Sequence, residues 1–511
     1  MEIVMKIQEV RNCSERLTMT RAEFLRTLGT GATAIAGSLI GVGSFTASAA
    51  ASKAPQAEVE VYPTGIFPVD VDEVTAAVNG TIGPSGRSYP GGGVVRLKAI
   101  SVSGAPTFFN FGGEYPSLNR GTVRVIKDVT ILGELMSPTA MTFPYDPTPE
   151  SGYTPDRTVV YGGKRAFACP SFAPTPTKLT VRNVFFAYPS LAAVQVTKTA
   201  GLEVSDCVLY DVKPDDTGIG FSAATSIEAT GLVTASNQLF GDFRVMNNRI
   251  RRASPVAIPP IPPGIETGIV MNLASMDAQI MANEIDGFAF VGVGIDRNNG
   301  TVTVAGNTIT NCGYGGLPGS GGIGVRGTTT PVFVERNSVT GGYAGPSMSL
   351  PSKNGLTLAS SNTVIRSNTF DGAFALQGIL LISFTATGTT WYATDSRIEK
   401  NDLSESTAML AQVLLQAGCD RNRFANNDYG SVGSGAAAGM VVQSAENAFI
   451  NENFWGTYSG IGGQPCVLLA QTSSGNAVSA FKYQGAPQGF DVCDQVLDQG
   501  TNLVHGYEKC K

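Results

Sequence analysis

The chain contains few charged residues and no excess of basic ones. Only 15% of its 511 residues are Asp, Glu, Lys or Arg, and the formal net charge is −6. Binding to nucleic acid depends on a basic field that contacts phosphates, so this composition excludes nucleic acid as a partner. No pair of cysteines has the spacing of zinc ligands, and no Gly-Lys-Ser/Thr loop for phosphate binding is present.

Cysteine is present, but not in the pattern of a disulfide framework. The chain has eight cysteines, and seven remain once Cys13 is removed with a leader peptide. An odd, widely spread set argues against a disulfide scaffold. We therefore predict that Cys207, Cys419 and Cys466 are small core residues. Two tail cysteines, at positions 493 and 510, are expected to pair in an exported protein.

The first 51 residues lack a run long enough for a membrane span and instead resemble an export signal peptide. A basic start is followed by a Gly-interrupted apolar run to Phe45 and by small residues up to Ala49 and Ala51. Phe24 to Arg26 resembles a twin-arginine signal, but Ala22 stands where the second Arg belongs. The general secretory route and an uncleaved anchor therefore remain alternatives. We predict an exported protein with no stable membrane span in the mature chain.

What the sequence has in abundance is one repeated phrase: an apolar residue, two variable residues, Asn, any residue, and another apolar residue. The Asn position of the phrase is occupied by Asn248, Asn283, Asn307, Asn337, Asn368, Asn401, Asn422 and Asn453, after two degenerate copies with Val184 and Cys207. Such recurrence is typical of a solenoid, in which each unit buries its apolar face against its neighbours. Inward Asn side chains stacked about 4.8 Å apart can satisfy turn amides and each other. We predict a structural Asn ladder.

Each copy divides into three short strands rich in Val, Ile and Thr, with the length variation confined to one loop. This pattern predicts an all-β, right-handed parallel β-helix of about ten coils with an N-terminal capping helix. Leucine-rich repeats would be dominated by Leu at a nearly constant period, and propeller blades would be longer and more regular. The expected organisation is an export signal (1–51), a linker (52–66), the capped β-helix (67–470) and a C-terminal cap or tail (471–511).

The start of the predicted β-helix carries a family resemblance. Val71, Val74 and Val78 have helical spacing, a Gly-rich turn precedes Val94 to Lys98, and a strand ends at Val129 to Glu134. Together with the Asn-marked coils, these features resemble the pectin-lyase-like right-handed β-helix superfamily over roughly residues 62–470. The resemblance implies the fold and an association with polysaccharide. It does not select an activity, because the superfamily includes lyases, hydrolases, esterases, epimerases and adhesins.

Enzymes of that superfamily hold sugar polymers along the first strand of each coil. The outward residues expected on this face are Gln195, Gly220, Val270, Gly294, Gly324, Thr357, Leu380 and Val441. None is ionisable, whereas hydrolysis needs two acids, and elimination needs a base and often a cation or Ca²⁺. The Gly-His-Gly motif of polygalacturonases, the Arg-x-Pro-x-x-Arg motif of pectate lyases and the Asp-Pro-His motif of mannuronan epimerases are also missing. The only histidine is His505.

Charged residues are instead expected at the edges of this face. The predicted catalytic residues are Asp215, Asp216, Arg251 and Arg252, and the predicted substrate-binding residues are Asp296 and Arg297. An Arg or Lys would act as the base, and the Asp residues could bind Ca²⁺, although no cofactor is certain. The alternative is that these are solvated turn residues in surface ion pairs. Phe288 and Phe290 are either sugar-stacking platforms or core residues.

Two functions follow from these observations. The first is an exported protein that binds or processes polysaccharide, most plausibly as a lyase because no acid pair is evident. The second is a non-catalytic β-helix of the cell envelope or extracellular space that binds a surface glycan or another partner through its loops. The sequence leaves open whether the protein is an enzyme.

Overall fold

The chain winds into a right-handed parallel β-helix, as predicted. The computed structural model describes residues 58–112, 121–212, 223–231, 239–253, 265–314, 320–345, 348–350, 352–455, 458, 464–479, 482–483 and 495–505. In this part of the chain, 39 strands hydrogen-bond into one continuous sheet. Their pairing is parallel from coil to coil: Gly294, for example, lies between Val270 and Gly324. Stacked β-branched strands with short corners therefore produce the predicted solenoid.

Each complete coil contributes a strand to three faces, which we call sheets I, II and III. Sheet I contains Val123–Arg124, Arg165–Cys169, Ala192–Val196, Ala223–Thr230, the first half of Ile265–Met281, Val291–Asn298, Gly321–Arg326, Ser352–Ala359, the second half of Thr369–Leu381, Ala411–Leu415, Met440–Val442, Val467–Leu469 and Val496–Asp498. Sheet II contains Glu58–Val61, Gly93–Leu97, Val129–Gly133, Thr177–Arg182, Thr199–Ser205, Leu239–Met246, the second half of Ile265–Met281, Val302–Ala305, Val332–Glu335, Thr363–Arg366, Arg397–Glu399, Arg423–Ala425, Ala448–Ile450, Ser474–Ser479 and Thr501–His505. Sheet III contains Phe108–Asn110, Val159–Tyr161, Phe185–Ala187, Val208–Tyr210, Arg249–Arg251, Glu284–Asp286, Thr308–Thr310, Ser338–Gly341, the first half of Thr369–Leu381, Asp402–Ala408, Asp428–Val432, Asn453–Phe454 and Lys482–Tyr483.

Within the described residues, two antiparallel hairpins lie outside the coil. They are formed by Tyr343–Gly345 with Met348–Leu350 and by Ser383–Ala386 with Thr389–Tyr392. A 3₁₀ turn, Ser151–Tyr153, lies in a loop beside sheet III. These additions leave the parallel ladder itself uninterrupted.

The interior is filled by aligned apolar side chains. In sheet I, Ile269, Val293, Ile323, Leu356 and Ile379 occupy the same position in successive coils, and all are fully buried. Each side chain stacks on its neighbours about 4.8 Å away, so a single coil could not bury it alone.

A column of glycines lies immediately before these inward residues. Its members are Gly268, Gly292, Gly322, Gly355 and Gly378. A Cβ on Gly292 would lie 2.6 Å from the Ile309 side chain, and one on Gly355 would lie 2.7 Å from Phe370. Sheets I and III therefore approach closely at this corner only because no side chain intervenes.

The Asn ladder exists at one corner of the coil. Asn337 accepts bonds from the backbone N–H and the side-chain amide of Asn307 at 3.0 and 2.9 Å. Its own amide donates to the Val304 carbonyl and to Asn368, both at 2.9 Å. The same pattern continues through Asn248, Asn283, Asn307, Asn337, Asn368, Asn401 and Asn427, ending at Glu452. Each inward amide is thus satisfied by its neighbours, as predicted.

The last two predicted ladder positions are wrong. Asn427 and Glu452, not Asn422 and Asn453, continue the first ladder. Asn422 belongs to a second ladder at another corner, which runs through Asn422, Asn447, Asn476 and Asn502. At Asn422 the error arises because the repeated phrase also fits a frame ending in Tyr429, five residues later, and at Asn453 it arises because the ladder position one residue earlier holds Glu452 instead of Asn. Only the strand pairing selects between the two frames.

A helix, α1 (Val69–Asn79), covers the first coil and confirms the predicted cap. Val71, Val74 and Val78 are buried against it. The buried Asp70 carboxylate accepts backbone bonds from Thr64, Gly65 and Asn110 at 2.7, 3.0 and 2.8 Å, which fixes the helix on the coil. Capping in this way covers open strand edges that would otherwise pair with other chains.

The strands extend beyond both expected boundaries of the β-helix. Glu58–Val61 pairs with Gly93–Leu97, within the segment expected to be a linker. Strands continue past residue 470 as far as Thr501–His505. Within the described residues, no helix is long and apolar enough to cross a membrane.

The described cysteines behave as small core residues. Cys207, Cys419 and Cys466 are free and buried, as are Cys169 and Cys312. Burial raises the pKa of the Cys207 thiol to about 12. The cysteines at positions 13, 493 and 510 lie outside the described residues.

Candidate functional site

The outer face of sheet I carries the row of residues in which a sugar-binding face was expected. The strand pairing places Arg124, Ala168, Gln195, Glu228, Val270, Gly294, Gly324, Thr357, Leu380, Leu414, Val441 and Leu468 side by side. One predicted member is wrong, because Glu228 fills the position assigned to Gly220, which lies outside the described residues. The residues from Ile219 to Phe221 have the same alternation as those from Ile227 to Ala229, and the sequence could not separate them.

The C-terminal half of this face is apolar and already covered. Leu380, Leu414, Val441 and Leu468 are buried in one cluster with the hairpin 383–392. The hairpin contributes Phe384 and Trp391, whose rings stack at 5.8 Å. This half of sheet I is therefore packed by the chain itself and offers no open surface to a polymer.

The N-terminal end of this face is open and forms a trough of about 710 Å³, which we call the sheet I trough. Helix α1 forms one wall. The segment from Pro170 to Phe172, which follows strand Arg165–Cys169, forms the other wall, and outward residues of sheet I form the floor. The lining residues are Val71, Asp72, Thr75, Thr122, Arg124, Lys164, Arg165, Ala168, Cys169, Pro170, Ser171, Phe172, Gln195 and Thr197. The floor residues come from three consecutive strands of sheet I, so the trough runs along the solenoid axis.

The described lining of the trough is basic in an otherwise acidic protein. Arg124, Lys164 and Arg165 face a single carboxylate, Asp72. Within the described residues, neither Arg124 nor Arg165 forms an ion pair, and the buried Nε of Arg165 has no hydrogen-bond partner. Phe172 is 67% exposed and lies under the Arg124 guanidinium at 5.6 Å. The trough thus combines Arg124 and Arg165, which have no ion-pair partner among the described residues, with an open aromatic ring.

An amide and a carboxylate continue the floor of the trough. Gln195 donates from Nε2 to the Glu228 carboxylate at 2.7 Å, and both side chains are half-buried. The next residue in the row, Val270, is only 5% exposed, so the open surface ends there. Glu228 was missed because of the matching alternation at residues 219–221. The trough was not predicted because Arg124 lies before the first copy of the repeated phrase and Arg165 lies in a coil with only the degenerate copy at Val184.

The structure places the predicted site residues elsewhere. Asp215 and Asp216 lie outside the described residues. Arg252 is buried in an ion-pair cluster with Asp211 and, at 3.4 Å, with Glu266. Burial acts to lower the pKa of Arg252, but the charges of Glu266 and Asp211 outweigh it and raise that pKa. Burial raises the pKa of Glu266 despite the neighbouring arginine.

The other three predicted residues lie apart from this cluster or on a different face. Arg251 belongs to sheet III, where it contacts Asp286 and, at 2.8 Å, Glu150. Asp296 and Arg297 are buried and paired at 3.0 Å, and burial raises the pKa of Asp296.

Strand register gives the separation between these groups. Asp296 pairs with Asn272, six residues along the strand from Glu266, or roughly 20 Å from the Arg252 cluster. The four described residues therefore do not line one cleft, and the ligand-site assignment stays a prediction.

Two other expectations concern aromatic residues and metals. Phe288 and Phe290 are both buried, as core residues would be. Among the described residues, no group of three or more His, Cys, Asp or Glu side chains could hold a metal ion.

Comparison with known proteins agrees with the fold. The family model described as "Right handed beta helix region" matches residues 172–370. This match confirms, at the level of the fold, the resemblance to the pectin-lyase-like β-helix superfamily. A comparison with curated proteins gives no match.

Three of the solved structures that match the chain share little sequence with it. The surface protein and adhesin PfbA of Streptococcus pneumoniae is 9% identical, covering 68% of this chain and 91% of its own, with a TM-score of 0.35. DFA-IIIase from Arthrobacter chlorophenolicus A6 without its lid is 12% identical, covering 89% and 96%, with a TM-score of 0.35. The mannuronan C-5 epimerase AlgE6 A-module of Azotobacter vinelandii is 14% identical, covering 78% and 92%, with a TM-score of 0.26.

Proposed function

We propose that this β-helix binds an acidic polysaccharide along the sheet I trough. The observation that supports the proposal is the juxtaposition of Arg124 and Arg165, which have no carboxylate partner among the described residues, in an open trough. Guanidinium groups bind carboxylates in a bidentate geometry, and this makes an acidic sugar a fitting ligand. The exposed ring of Phe172 offers an apolar platform for a sugar face.

The shape of the trough favours a polymer over a small molecule. Its floor extends from the strand of Arg124 to that of Gln195, two inter-strand steps or roughly 10 Å along the axis, and Glu228 follows on the next strand. A site that is open at the top and aligned with the solenoid can hold several consecutive sugars. A small ligand would normally be enclosed on most of its surface.

Binding is better supported than any particular reaction. Asp72 is on α1 beside the first strand of the trough and Glu228 is on the strand after the last, so these two carboxylates do not flank one glycosidic bond as hydrolysis requires. Elimination needs a base and a cation near a uronate carboxylate, and the trough supplies the cations. A lyase reaction is therefore the chemistry to test. A non-catalytic glycan-binding protein of the cell envelope is the alternative.

The test compares charge removal inside and outside the trough. Arg124→Ala/Arg165→Ala should weaken binding to polygalacturonate, alginate or hyaluronan at least about tenfold, since two charge-assisted contacts are lost. Arg397→Ala/Arg423→Ala is the matched control, because it removes two neighbouring exposed arginines from sheet II. Binding would be measured by calorimetry at two salt concentrations, with a neutral dextran for comparison.

The outcomes separate the two functions. Equal losses in both double variants, or no binding of any acidic polymer, would overturn the proposal. Ultraviolet absorbance from unsaturated products, followed with and without Ca²⁺, distinguishes a lyase from a binding protein. Retained binding without such products supports the non-catalytic alternative.

We also propose that the protein acts outside the cytoplasm. The support is the signal-like sequence of residues 1–51, with small residues at Ala49 and Ala51. Intact-mass measurement of protein from the periplasm or medium should show an N-terminus just after one of these alanines. A mature chain that still begins at Met1 or Met19 would contradict the proposal.

A further inference from the structure

We propose that the sheet I trough selects polysaccharides in which acidic sugars are interrupted by neutral ones, and that Glu228 sets this preference. The inference rests on the proposed function and adds a charge pattern to it. Its basis is the order of outward side chains along sheet I, where cations line the trough and the Glu228 carboxylate follows Gln195 at the far end of the trough.

The strand register fixes that order. Arg124 pairs with Ala168, Ala168 with Gln195, and Gln195 with Glu228. Each step advances about 4.8 Å along the axis, close to the advance of one sugar in an extended chain. A polymer lying in the trough would therefore present successive sugars to successive coils.

The two ends treat a sugar carboxylate differently. At the Arg124 end, Arg165 and Lys164 also line the trough, so a uronate there meets cations. At the other end, Glu228 forms no ion pair within the described residues, and its hydrogen-bond donor there is the neutral Gln195 amide. A second uronate at this position would meet a like charge, which disfavours binding.

A neutral sugar is the better occupant beside Glu228. An ionised carboxylate only accepts hydrogen bonds, and sugar hydroxyls are donors. The Gln195 bond engages one carboxylate oxygen, Oε2, and leaves acceptor capacity on the half-buried group. The row therefore binds a sugar carboxylate at its arginine end and sugar hydroxyls at its Glu228 end. Such a site favours a glycan in which acidic and neutral sugars occur at this spacing.

The experiment varies charge without changing the sugar. Polygalacturonate and alginate, each as the free acid and in partially esterified form, would be titrated into the mature wild-type protein. We expect the partially esterified forms to bind about tenfold more tightly than the free acids, because an esterified residue can occupy the Glu228 position. Glu228→Gln should abolish this difference by strengthening binding of the free acids.

The control removes a carboxylate that lies outside the trough. Glu399→Gln removes a half-exposed carboxylate from sheet II and should leave the preference unchanged. The inference is wrong if the wild-type protein prefers the free acids, or if Glu228→Gln leaves the preference as it was. Failure of every polymer form to bind the wild-type protein would instead overturn the proposed function itself.

Discussion

Glu452 ends the first Asn ladder, and we expect its protonation to control the stability of the C-terminal coils. It stands where other coils have Asn and is 2% exposed. Its carboxyl group accepts hydrogen bonds from the Tyr429 hydroxyl and, at 3.1 Å, from the Asn427 amide. Burial outweighs these bonds and raises the pKa of Glu452 from 4.5 to about 8. A protonated carboxyl, like an amide, adds no charge to the ladder.

The sign of the pH dependence follows from the raised pKa. Below pH 4.5 the carboxyl is neutral in both the folded and unfolded states, and its contribution to stability is fully present. As the pH rises towards about 8, the unfolded chain loses the proton while the folded chain keeps it, so the free energy of unfolding falls. At about 1.4 kcal/mol per pH unit, the interval from 4.5 to about 8 corresponds to a loss of about 3 to 5 kcal/mol.

The assay is urea unfolding of the wild type and Glu452→Gln at pH 5 and pH 9. The chain has two tryptophans, Trp391 and Trp455, both near these coils, so fluorescence reports their unfolding. The glutamine is neutral at every pH and should remove most of the difference between the two conditions. Equal pH dependence in wild type and variant would refute the reasoning.

Three further substitutions test the packing. Asn337→Ala should lower the free energy of unfolding by about 2 to 4 kcal/mol, because buried ladder partners lose their bonds; urea denaturation checks this, and an unchanged midpoint would contradict it. Gly292→Val should cost more than about 2 kcal/mol, since its Cβ would lie 2.6 Å from Ile309. Gly435→Ala is the control, because a Cβ at this position would meet nothing within 4 Å. Equal melting temperatures of the Gly292 and Gly435 variants would contradict the packing role of the glycine column. Arg252→Ala should cost about 3 to 5 kcal/mol by stranding two buried carboxylates, and thermal unfolding near the wild-type temperature would disprove that role.

The fold could be predicted because its information is local and repeated. The ladder from Asn248 to Asn401 and the inward Val and Ile residues recur in nearly every coil, so one error does not disturb the others. The predictions failed where two frames fitted equally well, as at Asn422 against Asn427 and Gly220 against Glu228. Only the hydrogen bonds between neighbouring coils show which frame is correct, and those bonds join residues 24 to 44 positions apart.

The candidate site could not be predicted in the same way. The sheet I trough joins α1, residues near 124, residues 164–172 and residues 195–197, all before the clear repeats begin. Clusters of adjacent charges in the sequence, such as Arg251–Arg252 and Asp296–Arg297, were the visible signal instead. The structure buries Arg252, Asp296 and Arg297 in ion pairs, because corner residues of a solenoid can point between coils as readily as into solvent.

The sequence by itself determined the solenoid, its inward columns and its first ladder from Asn248 to Asn401, because each depends on residue type at a recurring position of the coil. The tertiary structure alone decided which charges are exposed together. Coil lengths vary, so the residues that stack above and below a given position depend on the lengths of all the loops before it. Arg124, Gln195 and Glu228 became one surface only when the coils were stacked, since pairing across strands, and not distance along the chain, brings them within reach of one ligand.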